Sequence, residues 1–279
     1  MRWSHLRMFI FLNRATLAII SISSLLPLVW MLSISLMDTK QGNSLSPNLF
    51  PSSITFSHYK NLFSTANIWR SMLNSFAVAS AITFTSVICN SLAGYSFAKI
   101  QFKGRDFLIK IVMISLLIPV QVAVVPLFLM MKVAHLIDSY FSLVLPSLAS
   151  PFGVLLIRQS AQSIPDSILD SARLDGAGEL QIFYKIVLPL LHPVIITLAI
   201  FSFLASWNDF MWPLFVMTDQ AKFTMPLTIA SLAQEHSSNV PFIMTGAVVT
   251  TLPVLIVYVV LNRFFFATSF SGVSLNEKI

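Results

Sequence analysis

Charge is scarce in this chain: Asp, Glu, Lys and Arg together make up 10% of 279 residues, against 56% hydrophobic. Such a composition cannot cover a water-soluble globule of that size with polar surface, so bilayer is its natural solvent. Cysteine is nearly absent. Cys89 stands alone inside an apolar run, which excludes an intrachain disulfide and leaves it a small core filler. The eight glycines contain no Gly-x-x-x-x-Gly-Lys-Ser/Thr loop to cradle a nucleotide phosphate. His5, His58, His135, His192 and His236 are scattered, with no His-Glu-x-x-His pair to hold zinc on one helix face. A Gly-x-Ser-x-Gly elbow is missing too, so no catalytic set and no metal site is assigned. Ionisable residues at bilayer depth are reduced to Asp209, and one acid does not make a proton or ion relay.

What remains is long apolar runs. No Asp, Glu, Lys or Arg occurs between Arg14 and Asp38, Arg70 and Lys99, Lys110 and Lys132, Asp138 and Arg158, or His236 and Arg263. Each gap supplies the roughly 20 residues that a helix needs to cross the hydrocarbon core. A sixth run starts after His192-Pro193 and reaches Met217, with Asp209 near its end. The expected fold is an all-α integral membrane protein. Six transmembrane helices are placed at about 15–37, 72–98, 109–131, 139–158, 194–217 and 242–263, in one domain over 1–279.

Basic residues set the orientation. With the N-terminus in the cytoplasm, segments 1–14, 99–110, 158–192 and 263–279 carry 12 of the 17 Lys and Arg residues. The positive-inside bias thus places both termini in the cytoplasm. Because these residues flank spans instead of clustering on a soluble face, the +6 net charge points to membrane lipid and not to nucleic acid. The first run is too long for a cleaved signal core and lacks a small-x-small site before Asp38, so it reads as a retained helix. Outer loop 38–70, rich in Ser, Asn and Pro, reads as turns.

The cytoplasmic loop 159–193 is the longest polar passage between spans. Ile164-Pro165-Asp166 has the form of a helix start, with proline in the first turn and an acid at the positive end of the dipole. That helix should stop at Gly176, and a second, from Glu179 to about Val187, should be closed by Leu188-Pro189. The pair forms a helix-turn-helix outside the membrane. Ile168, Leu169 and Ala172, and then Ile182, Phe183 and Ile186, recur at helical spacing. Either a partner covers these apolar sides, or they fold back on the ends of the spans.

Asp170-Ser171-Ala172, Gly176 and Ile186-x-Leu188-Pro189 match in spacing the EAA loop of binding-protein-dependent ABC importer permeases. Pro119-x-Gln121-Val122, Asp138-Ser139-Tyr140, Phe152-Gly153 and Trp207-Asn208-x-Phe210-x-Trp212-Pro213 are similar to the sugar-uptake branch, above all to its second, shorter permease, as in maltose and glycerol-3-phosphate systems. The resemblance spans roughly residues 70 to 265. Two departures stand out: Asp170-Ser171 replaces the usual Glu-Ala, and the tail Ser271–Ile279 is only loosely like the family's ending.

The resemblance implies a type I ABC importer transmembrane domain whose loop is a coupling helix. It implies a homologous permease as heterodimer partner, two ATP-binding subunits on the cytoplasmic side that carry ATP and Mg, and an extracytoplasmic sugar-binding protein touching loop 218–241. The plasma (inner) membrane of a bacterium is the implied location, and no cofactor sits in this chain. Asp170, Ser171, Ala172, Leu174, Asp175, Gly176, Ala177, Phe183, Leu188 and Pro189 are then candidates for coupling to the ATPase. Trp207, Asn208, Asp209, Trp212 and Gln121 are candidates for the cargo path, since aromatic faces stack on sugar rings and amides or carboxylates bond hydroxyls. Interfacial anchoring by Trp and local satisfaction of unwound backbone are the competing roles for this segment. An ion-coupled carrier without an ATPase is the alternative function, and a membrane-embedded enzyme a weaker one.

Overall fold

The computed structural model describes residues 2–44, 48–65 and 67–271, with side chains between 12 and 259. The described residues are helical or irregular, with no strand among them. They fall into two compact units, 2–68 with 229–253 and 69–228 with 254–271. Of the tail singled out above, 272–279 lies outside the described residues.

The first unit opens with helix Arg2–Ser35, whose apolar stretch Leu12–Ser35 is almost wholly exposed. Exposed Leu17, Ile19 and Ile22 are what a lipid-facing helix requires. Its far end is built differently: Ser33, Ile34, Ser35 and Met37 are buried, and Ser35 Oγ lies 2.8 Å from the Tyr59 hydroxyl. Segment 38–70, expected to be turns alone, contains helix Ser57–Thr65, which buries Leu62 completely. Its polar composition concealed one apolar anchor. Asn43 ties down the segment by accepting the Val240 N–H at 2.9 Å and donating to the Ser238 carbonyl.

The second unit is organised on helix Ile68–Lys99, which covers the predicted stretch 72–98 without a break. Other apolar runs are broken. Arg105–Ser115 and Val120–Val133 meet at 108°, Tyr140–Ser147 and Pro151–Gln162 at 40°, and Glu179–Leu190 and His192–Trp207 at 82°. Among the described residues, three helices are thus long and apolar enough to cross a bilayer, or up to six if each bent pair makes one crossing. The first break falls at Pro119, whose ring starts a new helix and bars the preceding residue from α geometry. Pro126, by contrast, sits inside helix Val120–Val133 without ending it.

Where glycine lacks a side chain, the helices close up. A Cβ on Gly94 would stand 2.7 Å from the Ile157 side chain and 2.9 Å from the Arg158 backbone nitrogen, so Ile68–Lys99 and Pro151–Gln162 touch at that point. Close backbone approach is what the missing Cβ permits. The same two helices are joined by buried Asn90, which accepts the Ser150 N–H at 2.9 Å and donates to Ser86 at 2.7 Å.

Candidate functional site: an elbow and a cavity

The elbow consists of helix Asp166–Leu174 and helix Glu179–Leu190. Asp175 caps the first and Gly176 follows at φ +82°. The Gly176 N–H donates to the Arg173 carbonyl and the Ala177 N–H to that of Ala172, each at 3.0 Å. This pair of bonds is a Schellman turn, and it needs a left-handed residue at Gly176. The second helix runs past Leu188-Pro189, expected to close it, to Leu190. Its middle, Phe183–Val187, is a π turn, and the wider ladder makes room for a proline ring that has no N–H to donate.

The two possibilities for the apolar sides of the elbow are now separated residue by residue. Leu169, Ile182, Phe183 and Val187 are no more than 2% exposed and join Tyr95, Ile157, Ala161 and Leu198 in one core cluster, with Ala172, Ala177, Ile186 and Leu188 packed against it. Phe183, one of the coupling candidates, is on the buried side. Its ring, 5.5 Å from that of Tyr95, faces the bundle and has no surface to offer another subunit. Facing outward are Asp170, Ser171, Leu174, Asp175, Gly176 and Pro189, with Leu174 89% exposed. Leu180 and Tyr184 extend this outward face with further apolar surface.

Charges fasten the elbow at both ends. The buried Lys99 ammonium sits 2.7 Å from Asp166 Oδ1 and 2.6 Å from the Ile164 carbonyl. Bonding to that ammonium holds the Asp166 carboxyl below the usual carboxylate range. Arg173 bridges the two helices, 2.7 Å from Asp170 and 2.8 Å from Glu179, and both pairings raise its already high pKa. The second oxygen of Glu179 accepts the Tyr95 hydroxyl at 2.8 Å. Asp170, the acid expected to reach an ATPase, is thus engaged within its own chain.

A cavity of about 800 Å³ lies among helices Ile68–Lys99, Val120–Val133 and His192–Trp207 and the start of Pro151–Gln162. That is the size range of small-ligand sites. Gln121, Asp209 and Trp212 all line it. Trp207 and Asn208 do not: Trp207 is buried with its ring stacked on Phe203, and Asn208 caps its helix by donating to the Leu204 carbonyl at 2.9 Å. Trp212 is held rigid by its indole N–H on the Ser142 carbonyl at 2.8 Å, and its backbone N–H donates to Asp209.

A sequence-family model described as "Binding-protein-dependent transport system inner membrane component" matches residues 90–268, well over half of the chain. The chain belongs to this family. A similar permease, AraQ of an arabinooligosaccharide transport system in Halalkalibacterium halodurans, is 35% identical over 78% of both chains. The lactose permease LacG of Rhizobium radiobacter is 28% identical over 90% of this chain and 91% of its own, and the sn-glycerol-3-phosphate permease UgpE of Yersinia pestis 31% over 70% of each. In fold the chain is similar to a component of a bacterial ABC transporter that imports the acidic polysaccharide alginate, with a TM-score of 0.80, 24% identity and coverage of 93% of this chain and 97% of that one. The architecture is that of a type I ABC importer permease.

Sequence reasoning passed over several residues on which the elbow and the cavity of this permease rest. Tyr95, Lys99, Arg173 and Glu179 fasten the elbow, and Asn90 bonds to Ser86 and Ser150, two residues of the cavity wall. A polar residue inside a charge-free run is the signal that could have flagged Asn90. At the opposite end of the permease's second unit, Asp138, at φ +59°, accepts the N–H groups of Thr218 and Asp219 at 3.0 Å each and pairs with Lys222 at 2.6 Å. The Lys222 contact first, then those N–H groups, hold its carboxyl down at about 2.

Proposed function

We propose that this chain is one half of the translocation path of an ATP-driven, binding-protein-dependent importer of sugars or related polyols in a bacterial inner membrane. It pairs with a homologous permease, and its elbow faces the cytoplasm, as do both termini. Two ATP-binding subunits, which carry the ATP and Mg, dock there, and an extracytoplasmic binding protein delivers cargo to the other side. The chain itself transports and does not hydrolyse. The sugar class is supported by the relatives, whose names include arabinooligosaccharides and lactose.

The observation that carries the coupling role is the split elbow: one side seals it to its own bundle, while Asp170, Leu174 and Asp175 are left outward at a turn fixed by Gly176. A push on that outward face reaches helix Ile68–Lys99 through Lys99 and Tyr95 and helix His192–Trp207 through the continuous chain. Whether the cargo path runs past Gln121, Asp209 and Trp212 is part of the same proposal, supported by their convergence on the cavity.

Position Gly176 tests the lever. No atom lies within 4 Å of a Cβ built there, so a substitution there is resisted by backbone conformation alone. An L-residue held left-handed costs roughly 1–2 kcal/mol, with Asn the best tolerated and β-branched residues the worst. Gly176→Val should abolish sugar uptake by the assembled importer while its basal ATP hydrolysis persists, and Gly176→Asn should retain both. Equal uptake by the two variants would contradict the lever.

A further inference from the structure

The cavity lining narrows the cargo. Of the residues at its wall none is Lys, Arg or His; the polar ones are five serines, Gln121 and the single acid Asp209. Phe152, Phe201 and Trp212 supply aromatic surface, the first two packed edge to face at 5.7 Å. An anionic ligand entering such a space sheds water and meets no counter-charge, which is the costly case for a buried ion. Asp209 adds a like charge. Three helix N-termini reach the wall, those of Val120–Val133, Pro151–Gln162 and Met211–Val216, and each sets only a partial positive charge against the full charge of an anion. At Met211–Val216 the Trp212 N–H is already held by Asp209, and Pro151–Gln162 offers little more. Pro151 has no N–H, the Gly153 N–H is taken by Ser150 Oγ at 3.0 Å, and the Val154 N–H by the Ser150 carbonyl. A neutral saccharide fits the same groups: its hydroxyls donate to Asp209 and exchange bonds with Gln121 and the serines, and its ring faces pack on the aromatic rings.

We propose that this cavity accepts uncharged, polyhydroxylated saccharides and rejects saccharides carrying carboxylate, sulfate or phosphate groups. The proposal rests on the reading of the chain as a sugar permease. It separates this chain from the fold it shares with the alginate importer, since the discrimination lies in the lining and not in the architecture.

The test uses the complete importer in nanodiscs, without its binding protein, and equilibrium dialysis of four probes: maltotriose, arabinotriose, lactose and trigalacturonate. At least one neutral probe should bind ten-fold or more tighter than trigalacturonate. Ala205→Lys, which puts a cation at the cavity wall, should raise trigalacturonate affinity ten-fold or more, and Asp209→Asn should raise it by a smaller factor. Trigalacturonate binding as tightly as every neutral probe, binding by none of the four, or no gain with Ala205→Lys, overturns the proposal. Stimulation of ATP hydrolysis by loaded binding protein is scored separately in the same preparation. If that stimulation is missing, the importer reading falls; if it is present while the saccharide result fails, only the neutral-cargo inference does.

Discussion

The two faces of the elbow are made from neighbouring residues and do opposite things. Leu169, Ile182, Phe183 and Val187 are sealed into the bundle, whereas Asp170, Leu174, Leu180 and Tyr184 are exposed. Fully burying a large apolar side chain is worth roughly 1.5–3 kcal/mol, while an exposed ion pair is worth about 1 kcal/mol or less. The inner face therefore holds the elbow on, and the charges of the outer edge set its angle. A lever needs that division, because a joint that both anchors and yields at the same residues would transmit nothing.

Breaking the inner face should have the largest effect. Phe183→Ala removes a fully buried ring and should destabilise the purified assembly by about 3–5 kcal/mol, seen as a lower thermal unfolding midpoint. Breaking the edge should separate stability from coupling. Arg173→Met cuts both Asp170 and Glu179 loose, and since all three groups are substantially exposed the stability loss should stay under about 1 kcal/mol. Sugar uptake per ATP hydrolysed should nevertheless fall several-fold, measured in proteoliposomes. A large unfolding shift with unchanged coupling would reverse the roles assigned to the two faces.

The smallest effect is expected far from the elbow. Asp138 has its folded-state pKa depressed to about 2 by Lys222 and backbone N–H groups. Its contribution is therefore fully present above the ordinary carboxylate value near 4 and is lost as pH falls from about 4 to about 2. Unfolding midpoints measured across that window should drop in the parent, and the drop should shrink in Asp138→Asn. Asn keeps the left-handed backbone that Asp138 adopts, so the variant isolates the charge.

Much of the elbow could be read from the chain because proline and glycine restrict the backbone locally. Pro165 marks its start and Gly176 its bend, and helix Asp166–Leu174 lies between them. Which face is buried was not readable, since Ile168 and Leu169 are adjacent and equally apolar, yet one is 43% exposed and the other 1%. The placement of the helices that supply Tyr95, Ile157, Ile182 and Leu198 decides between them. The bond from Tyr95 to Glu179 joins residues 84 positions apart, and no local spacing announces such a pair. Charge-free runs located apolar stretches but said nothing of continuity: Pro119 suggested a kink in the third, whereas the break between Tyr140–Ser147 and Pro151–Gln162 came from the structure. Of the cargo-path candidates, Gln121, Asp209 and Trp212 line the cavity, while Trp207 packs on Phe203 and Asn208 caps its helix.

What touches the outward face decides whether the elbow is a lever. A photoreactive residue placed at Leu174 in the assembled importer, with a second one at Phe183 as control, tests it most directly. Leu174 should cross-link to an ATP-binding subunit and Phe183 only within its own chain. Cross-linking of Leu174 to its own chain alone, with no ATP-binding subunit captured, would contradict the lever.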